Sequence, residues 1–268
     1  MSLTDSVEWQ NFKASVDATL SRIESEISNL ATIEAQIMTE LGVIAAGQQH
    51  PAAGVARVQG KSHQNGGSSS TTVAVTLDQA VGSGNMLCVS IGTALGTLTS
   101  FSVTDDKGNT YTSVDVTDIT GPYTWGSAYI LNVTNGPTTV TATVDVSGTP
   151  TSAAFSSIVV EEFSGVAGPL DVHAIHTQAF PPGTGTDAVT SGSVTTNHGG
   201  ELVYGATVNV SSAGTIEAGT GFSAGYSVPD AFQTEYQTQV SAGPVAATFT
   251  AGNGGDSFIS YVMCFEVP

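Results

Sequence analysis

Residues 16–44, VDATLSRIESEISNLATIEAQIMTELGVI, decide how this chain is organised. Apolar residues recur there at alternating spacings of four and three. Leu20, Ile27 and Leu41 hold one core position of a heptad, and Val16, Ile23, Leu30, Ile37 and Ile44 hold the other. That period is the signature of a coiled coil, in which helices bury the stripe against one another. Thr4 and Asp5, with Glu8 three residues on, signal a helix start, and Gly47 followed by Pro51 signals its end. Residues 1–47 are therefore predicted to form a self-associating helix. The alternative is one amphipathic helix lying on the rest of the chain. At 1.5 Å per residue it would run about 60 Å, longer than the remaining domain is expected to be wide.

Leu and Ile are mixed at both core positions, and Ala31, Ile33 and Met38 widen the apolar face. This favours three strands over a parallel dimer, with four or five still open. Glu34 falls at the first core position, where several copies would set carboxylates in a ring. It is read as a register-setting discord, with a bound cation or a partner contact as alternatives. Asp17, Glu24, Glu26 and Glu40 flank the seam with no basic residue beside them, so ion pairs do not drive the pairing.

Working outward, residues 48–70 lose the period and gather Gly, Ser and Gln. They read as a linker with one short strand at VARVQ, residues 55–59. From 71 to 268 the texture is mainly β: runs such as TTVAVT, NMLCVSIG, TTVTATVDV, SSIVVEEF and ELVYGATVNV alternate with turns such as DDKGN, TNGP and GNGGD. About a dozen short strands predict one jelly-roll-like antiparallel β-sandwich. Two small sandwiches divided near residues 178–186 are the alternative, and no internal repeat is evident.

Five basic residues, Lys13, Arg22, Arg57, Lys61 and Lys107, face 23 acidic ones, for a net charge of −18. No surface of this chain is expected to track phosphates, so nucleic acid is not an expected partner. No run nears the ~20 apolar residues of a membrane span, and the start lacks the features of a secretory signal. Met1, Ser2 and Leu3 have the look of a vector remnant. With only 10% charged residues, the solvated surface must come from Thr, Ser, Asn, Gln and Gly, the palette of extracellular or virion β proteins. Cys88 and Cys264 sit in apolar runs and read as buried core residues, with a bridge between them left open.

No nucleophile elbow, phosphate loop, H-E-x-x-H helix or paired-cysteine spacing appears. The chain is expected to be no enzyme and to need no cofactor or metal. His173 and His176 would point to opposite faces of a strand, and so would Glu161 and Glu162. Asp105, Asp106 and Asn109 offer oxygens to calcium but equally suit a tight hairpin. Tyr123 and Trp125, with Tyr226, are the candidate platform for stacking on a sugar, against core packing for Trp125.

At VTDDKGNTYT, VVEEFSGVAGPLDVHA and GGELVYGATV the chain resembles a β-sandwich domain of uncharacterised phage structural proteins and bacterial surface proteins. A T-D-x-x-G-N-x-Y hairpin, an E-x-S-G-x-x-x-P-L-D segment and an E-L-V strand recur there in this order, across about residues 70–267. The resemblance brings no catalytic residues. A trimeric stalk bearing a β head is similar in architecture to phage head fibres, decoration proteins and tail fibres. The implied function is a homotrimeric capsid decoration or head-fibre protein on the virion surface, assembled in the host cytoplasm, with capsid or other virion proteins as partners. The alternative is a carbohydrate-binding adhesion module of a tail fibre or cell surface, with surface glycans as ligands.

Overall fold

The computed structural model describes residues 7–45, 54–66, 70–93, 97–118, 124–147, 155–181, 185–209, 214–228, 232–252 and 256–267. The chain divides into two compact units, Met1–Pro51 and Ala52–Pro268. The first holds the helix α1, Val7–Ala45, rich in strong helix formers and free of proline. Arg22 and Glu26 pair along its surface at 3.9 Å, and Trp9 and Phe12 bring their rings within 5.8 Å. No helix among the described residues is long and apolar enough to cross a membrane.

The second unit is built of antiparallel strands. Its first half runs β1 (Ala56–Gly66), β2 (Thr72–Thr76), β3 (Met86–Thr93), β4 (Thr97–Asp105), β5 (Thr112–Asp118), β6 (Thr124–Ile130), β7 (Thr139–Ser147) and β8 (Phe155–Ser164). Its second half runs β9 (Leu170–Ala179), β10 (Asp187–Thr190), β11 (Val194–Thr195), β12 (Leu202–Asn209), β13 (Ile216–Ala218), β14 (Ser223–Val228), β15 (Phe232–Thr238), β16 (Pro244–Val245), β17 (Thr248–Ala251) and β18 (Ser257–Phe265). The segment expected to link the units thus carries β1, longer than VARVQ. Its polar run RVQGKSHQNG has no apolar alternation because β1 is an edge strand.

Of the five sheets among the described residues, four stack in layers, and β11-β16 forms a two-stranded ribbon. An outer sheet β2-β7-β4 covers an inner sheet β1-β8-β3-β6-β5, and an outer sheet β10-β17-β13 covers an inner sheet β14-β15-β12-β18-β9. Val75, Val89, Val140 and Ile158 fill the first outer–inner space, while Val203, Phe249 and Val262 fill the second. Between the two inner sheets lie Met86, Trp125, Phe163, Tyr204, Phe232, Tyr261 and Phe265. The inner sheets are covered on both faces, which is why β3, β12 and nearly all of β18 are buried at every position.

The strand orders reveal a duplication. If β9, β10, β12, β13, β14, β15, β17 and β18 take the places of β1 to β8, both sheet orders coincide, leaving β11 and β16 as an added ribbon. Irregularities repeat too, between Ser113 and Val116 in β5 and between Ala224 and Ser227 in β14. Aligning the halves pairs Gly84 with Gly200, both at positive φ, and matches Trp125 to Phe232, Tyr129 to Tyr236 and Phe163 to Phe265. These matched residues meet one another: Trp125 stacks on Phe232 at 4.8 Å, Tyr129 meets Phe265 edge-on at 4.9 Å, and Tyr236 meets Phe163 edge-on at 5.4 Å. The halves therefore pack isologously, as an internal pseudo-dimer about an approximate twofold. The chain passes between them from Ser164 to Leu170, whereas residues 178–186 lie between β9 and β10 inside the second half.

Candidate functional site

Each acidic motif singled out in the sequence has a definite place. In the hairpin after β4, Asp105 accepts hydrogen bonds from the Lys107 and Asn109 backbone N–H, the Asn109 amide and the Tyr111 hydroxyl. Gly108 supplies the positive φ of that turn. Asp106 accepts from the backbone N–H of Thr139 and Thr138, which hold its carboxyl well below the usual carboxylate range. These bonds tie both carboxylates into the hairpin, so the motif closes a turn.

Glu161 and Glu162 point to opposite sides of β8, as adjacent strand residues must. Glu161 is fully buried, receiving Arg57 Nε at 2.5 Å and the Thr234 hydroxyl at 2.5 Å from the second half. Arg57 also lies over the Tyr226 ring at 5.3 Å. Glu162 accepts from Gly82 N at 2.8 Å, Asn85 Nδ2 at 2.5 Å and Gln59 Nε2 at 2.6 Å. Both carboxylates act as struts.

The described members of the candidate sugar platform are placed apart from an open aromatic face. Trp125 is fully buried between the inner sheets, and Tyr226 is engaged by Arg57. Tyr123 lies outside the described residues. The heptad residues divide similarly. Val16, Leu20, Ile23, Ile27 and Leu30 are 43–61% exposed along α1, while the side chains of Glu34, Ile37, Leu41 and Ile44 lie outside the described residues. Cys88 and Cys264 are free and buried in different layers, Cys88 between the inner sheets and Cys264 under the second outer sheet. Burial raises both thiols, Cys264 to about 12.

A cluster that sequence spacing did not bring together forms where β9 begins, β12 begins and β18 ends. Asp171, His198 and Glu201 place ligand atoms within 4.8 Å of one another. Asp171 accepts from the Asn197 N–H at 2.8 Å and the Asn197 amide at 2.6 Å. Glu201 Oε1 accepts from the His198 N–H at 3.0 Å, while its Oε2 is buried with no donor. His198 Nδ1 lies 3.6 Å from Glu201 and 3.5 Å from Glu266. Burial, then the facing Asp171 carboxyl, pushes the Glu201 pKa up to about 7. Gly168 lets the PLD segment lie against Glu266, because a Cβ there would meet Glu266 Cβ at 2.5 Å. The PLD segment and the ELV strand were legible as motifs, but nothing in their spacing said that they converge.

Glu235 shows the other use of a buried acid. It accepts from Gly219 N at 2.7 Å and Thr248 N at 2.8 Å, tying β15 to the second outer sheet. Burial nevertheless pushes its pKa from 4.5 up to about 7. Between those values the folded chain holds a proton that the unfolded chain has released. This contribution is present below about pH 4.5 and lost as pH rises through about 7. Thermal melts should therefore show stability falling from about pH 5 to 8, by about 2–3 kcal/mol for this group. Glu235→Gln should flatten the slope, at lower stability, since its NH2 would face one of the two N–H donors.

No family model and no curated protein matches the chain. Among solved structures, it shows similarity to a "putative secreted protein" from Eubacterium rectale, at 10% identity, over 82% of this chain and 76% of that one, with a TM-score of 0.19. A likeness at that value carries no argument.

Proposed function

We propose that this chain is a non-enzymatic structural protein of a phage virion, a capsid decoration or head-fibre protein, assembled as a homotrimer through α1. The observation that carries this reading is the row Val16, Leu20, Ile23, Ile27 and Leu30, apolar at heptad spacing and open along the helix. A stripe of that kind is buried by further copies of itself in a coiled coil, at about 0.8 kcal/mol per buried methylene. The acidic motifs support a scaffold role, since Asp105, Asp106, Glu161, Glu162 and Glu235 spend their oxygens on structure. We also read each half as jelly-roll-like, because the first strand neighbours the last and the second neighbours the last but one. Trp125, buried, favours no sugar-binding reading.

Light scattering of the full chain should give three times the chain mass. Leu20→Asp with Ile27→Asp should give one, with the β body's melt unchanged because both side chains are exposed on α1. A monomeric wild type would overturn the assembly reading. Mass spectrometry of purified phage particles from the source host, finding the chain absent, would overturn the virion reading.

A further inference from the structure

The internal duplication supplies a control for the acidic cluster. At this corner of the first half, Gly82 N, Asn85 Nδ2 and Gln59 Nε2 all donate to Glu162, so both its oxygens are met. In the second half His198 takes the place of Gly82, and its N–H again donates to a buried carboxylate. Glu201, however, takes the place of Asn85. A carboxylate stands where the first half has an amide donor; Glu201 Oε2 is buried without a hydrogen-bond partner, and the Asp171 carboxyl lies beside that of Glu201. Glu201 is 0% exposed, so bulk solvent does not reach that oxygen.

We propose that Asp171, His198 and Glu201 bind a divalent cation of the zinc type, with Glu266 at the open side. Bonds of about 2.0–2.2 Å at tetrahedral angles put ligand atoms about 3.3–3.6 Å apart. The 3.6 Å between His198 Nδ1 and Glu201 Oε1 has that value and is long for a hydrogen bond, while Glu266 Oε1, 3.5 Å from His198 Nδ1, lies outside the three-residue group. One imidazole among carboxylates suits zinc or manganese better than calcium or magnesium, which take oxygen sets. Asn197 holds Asp171 through two N–H donors, and the His198 N–H holds Glu201, the outer support a metal ligand needs. Each carboxylate oxygen keeps a lone pair for the ion. The ion would join the start of β9, the start of β12 and the end of β18.

The test is titration calorimetry of the full chain with zinc chloride near neutral pH, with melts in zinc, manganese, calcium and chelator. The expected result is one zinc per chain and a raised melting temperature. His198→Ala, whose side chain is 57% exposed and which should fold normally, weakens binding at least about tenfold. Glu201→Gln restores the amide of the first half and removes the zinc response without lowering the metal-free melting temperature. His63→Ala leaves the response intact. The proposal is overturned if wild type gives neither heat nor a shift, or if the response survives both His198→Ala and Glu201→Gln. A zinc-insensitive wild type that Glu201→Gln stabilises would also overturn it, and would show a proton shared between Glu201 and Asp171.

Discussion

Replacing Trp125 by alanine should lower the unfolding free energy by about 3–5 kcal/mol, the range for removing a large aromatic from a packed core. Trp125 is 0% exposed, stacks on Phe232 at 4.8 Å and is tilted on Tyr261 at 5.1 Å. It stands where the two inner sheets face each other, next to the pair Gly92 and Val208. A Cβ on Gly92 would come within 2.7 Å of Val208 Cγ2, so the Gly92 backbone already lies against the facing side chains and leaves little room to collapse into a cavity. The loss should appear in urea melts as a lower midpoint. If the halves separate before they unfold, two transitions replace one. Trp125→Phe should cost much less, because the indole N–H it removes has no acceptor. An alanine variant within about 1 kcal/mol of wild type would mean that the inner-sheet interface contributes little to stability.

The second large effect is asymmetric. Arg57→Met should destabilise by about 3 kcal/mol, because it leaves the Glu161 carboxylate buried with only the Thr234 hydroxyl as donor. The double variant Arg57→Met, Glu161→Leu should recover most of that loss, since a buried ion pair replaced by apolar groups of similar volume is often neutral or better. Arg57 Nη2 has no partner, which leaves the pair short of full satisfaction. Gly225 admits the Glu161 carboxylate, since a Cβ there would lie 2.8 Å from it. A double variant as unstable as Arg57→Met would show that the methionine fails for reasons of packing, with the uncompensated charge a minor factor.

Much of this was legible in residue order, and for local reasons. A stripe at spacings of four and three is a property of one helix. A run such as TVAVT shows its one-sided burial through alternation, and D-x-x-G-N-x-Y closes through side chains within six residues of each other. Residue order also pointed to the separation of Glu161 from Glu162, because alternation in a strand is fixed by the pleat. The β1 strand was only partly visible, because its neighbours, not its composition, make it a strand.

Other features depend on which distant strands pair. The duplication left only faint traces in residue identity: a positive-φ glycine at 84 and 200, aromatics at 129 and 236, and phenylalanine at 163 and 265. Strand order can be kept by any apolar residues that fill the layers, so sequences drift while topology stays. The burial of Trp125 follows from the second half closing over the first, since β6 alone leaves that face open. Asp171, His198 and Glu201 meet because β18 pairs with β9 on one side and with β12 on the other. Local order therefore settled the helix, the turns and the β character, where the forces act within a few residues. Tertiary pairing settled which acids are buried together, where desolvation and lost donors make proximity matter.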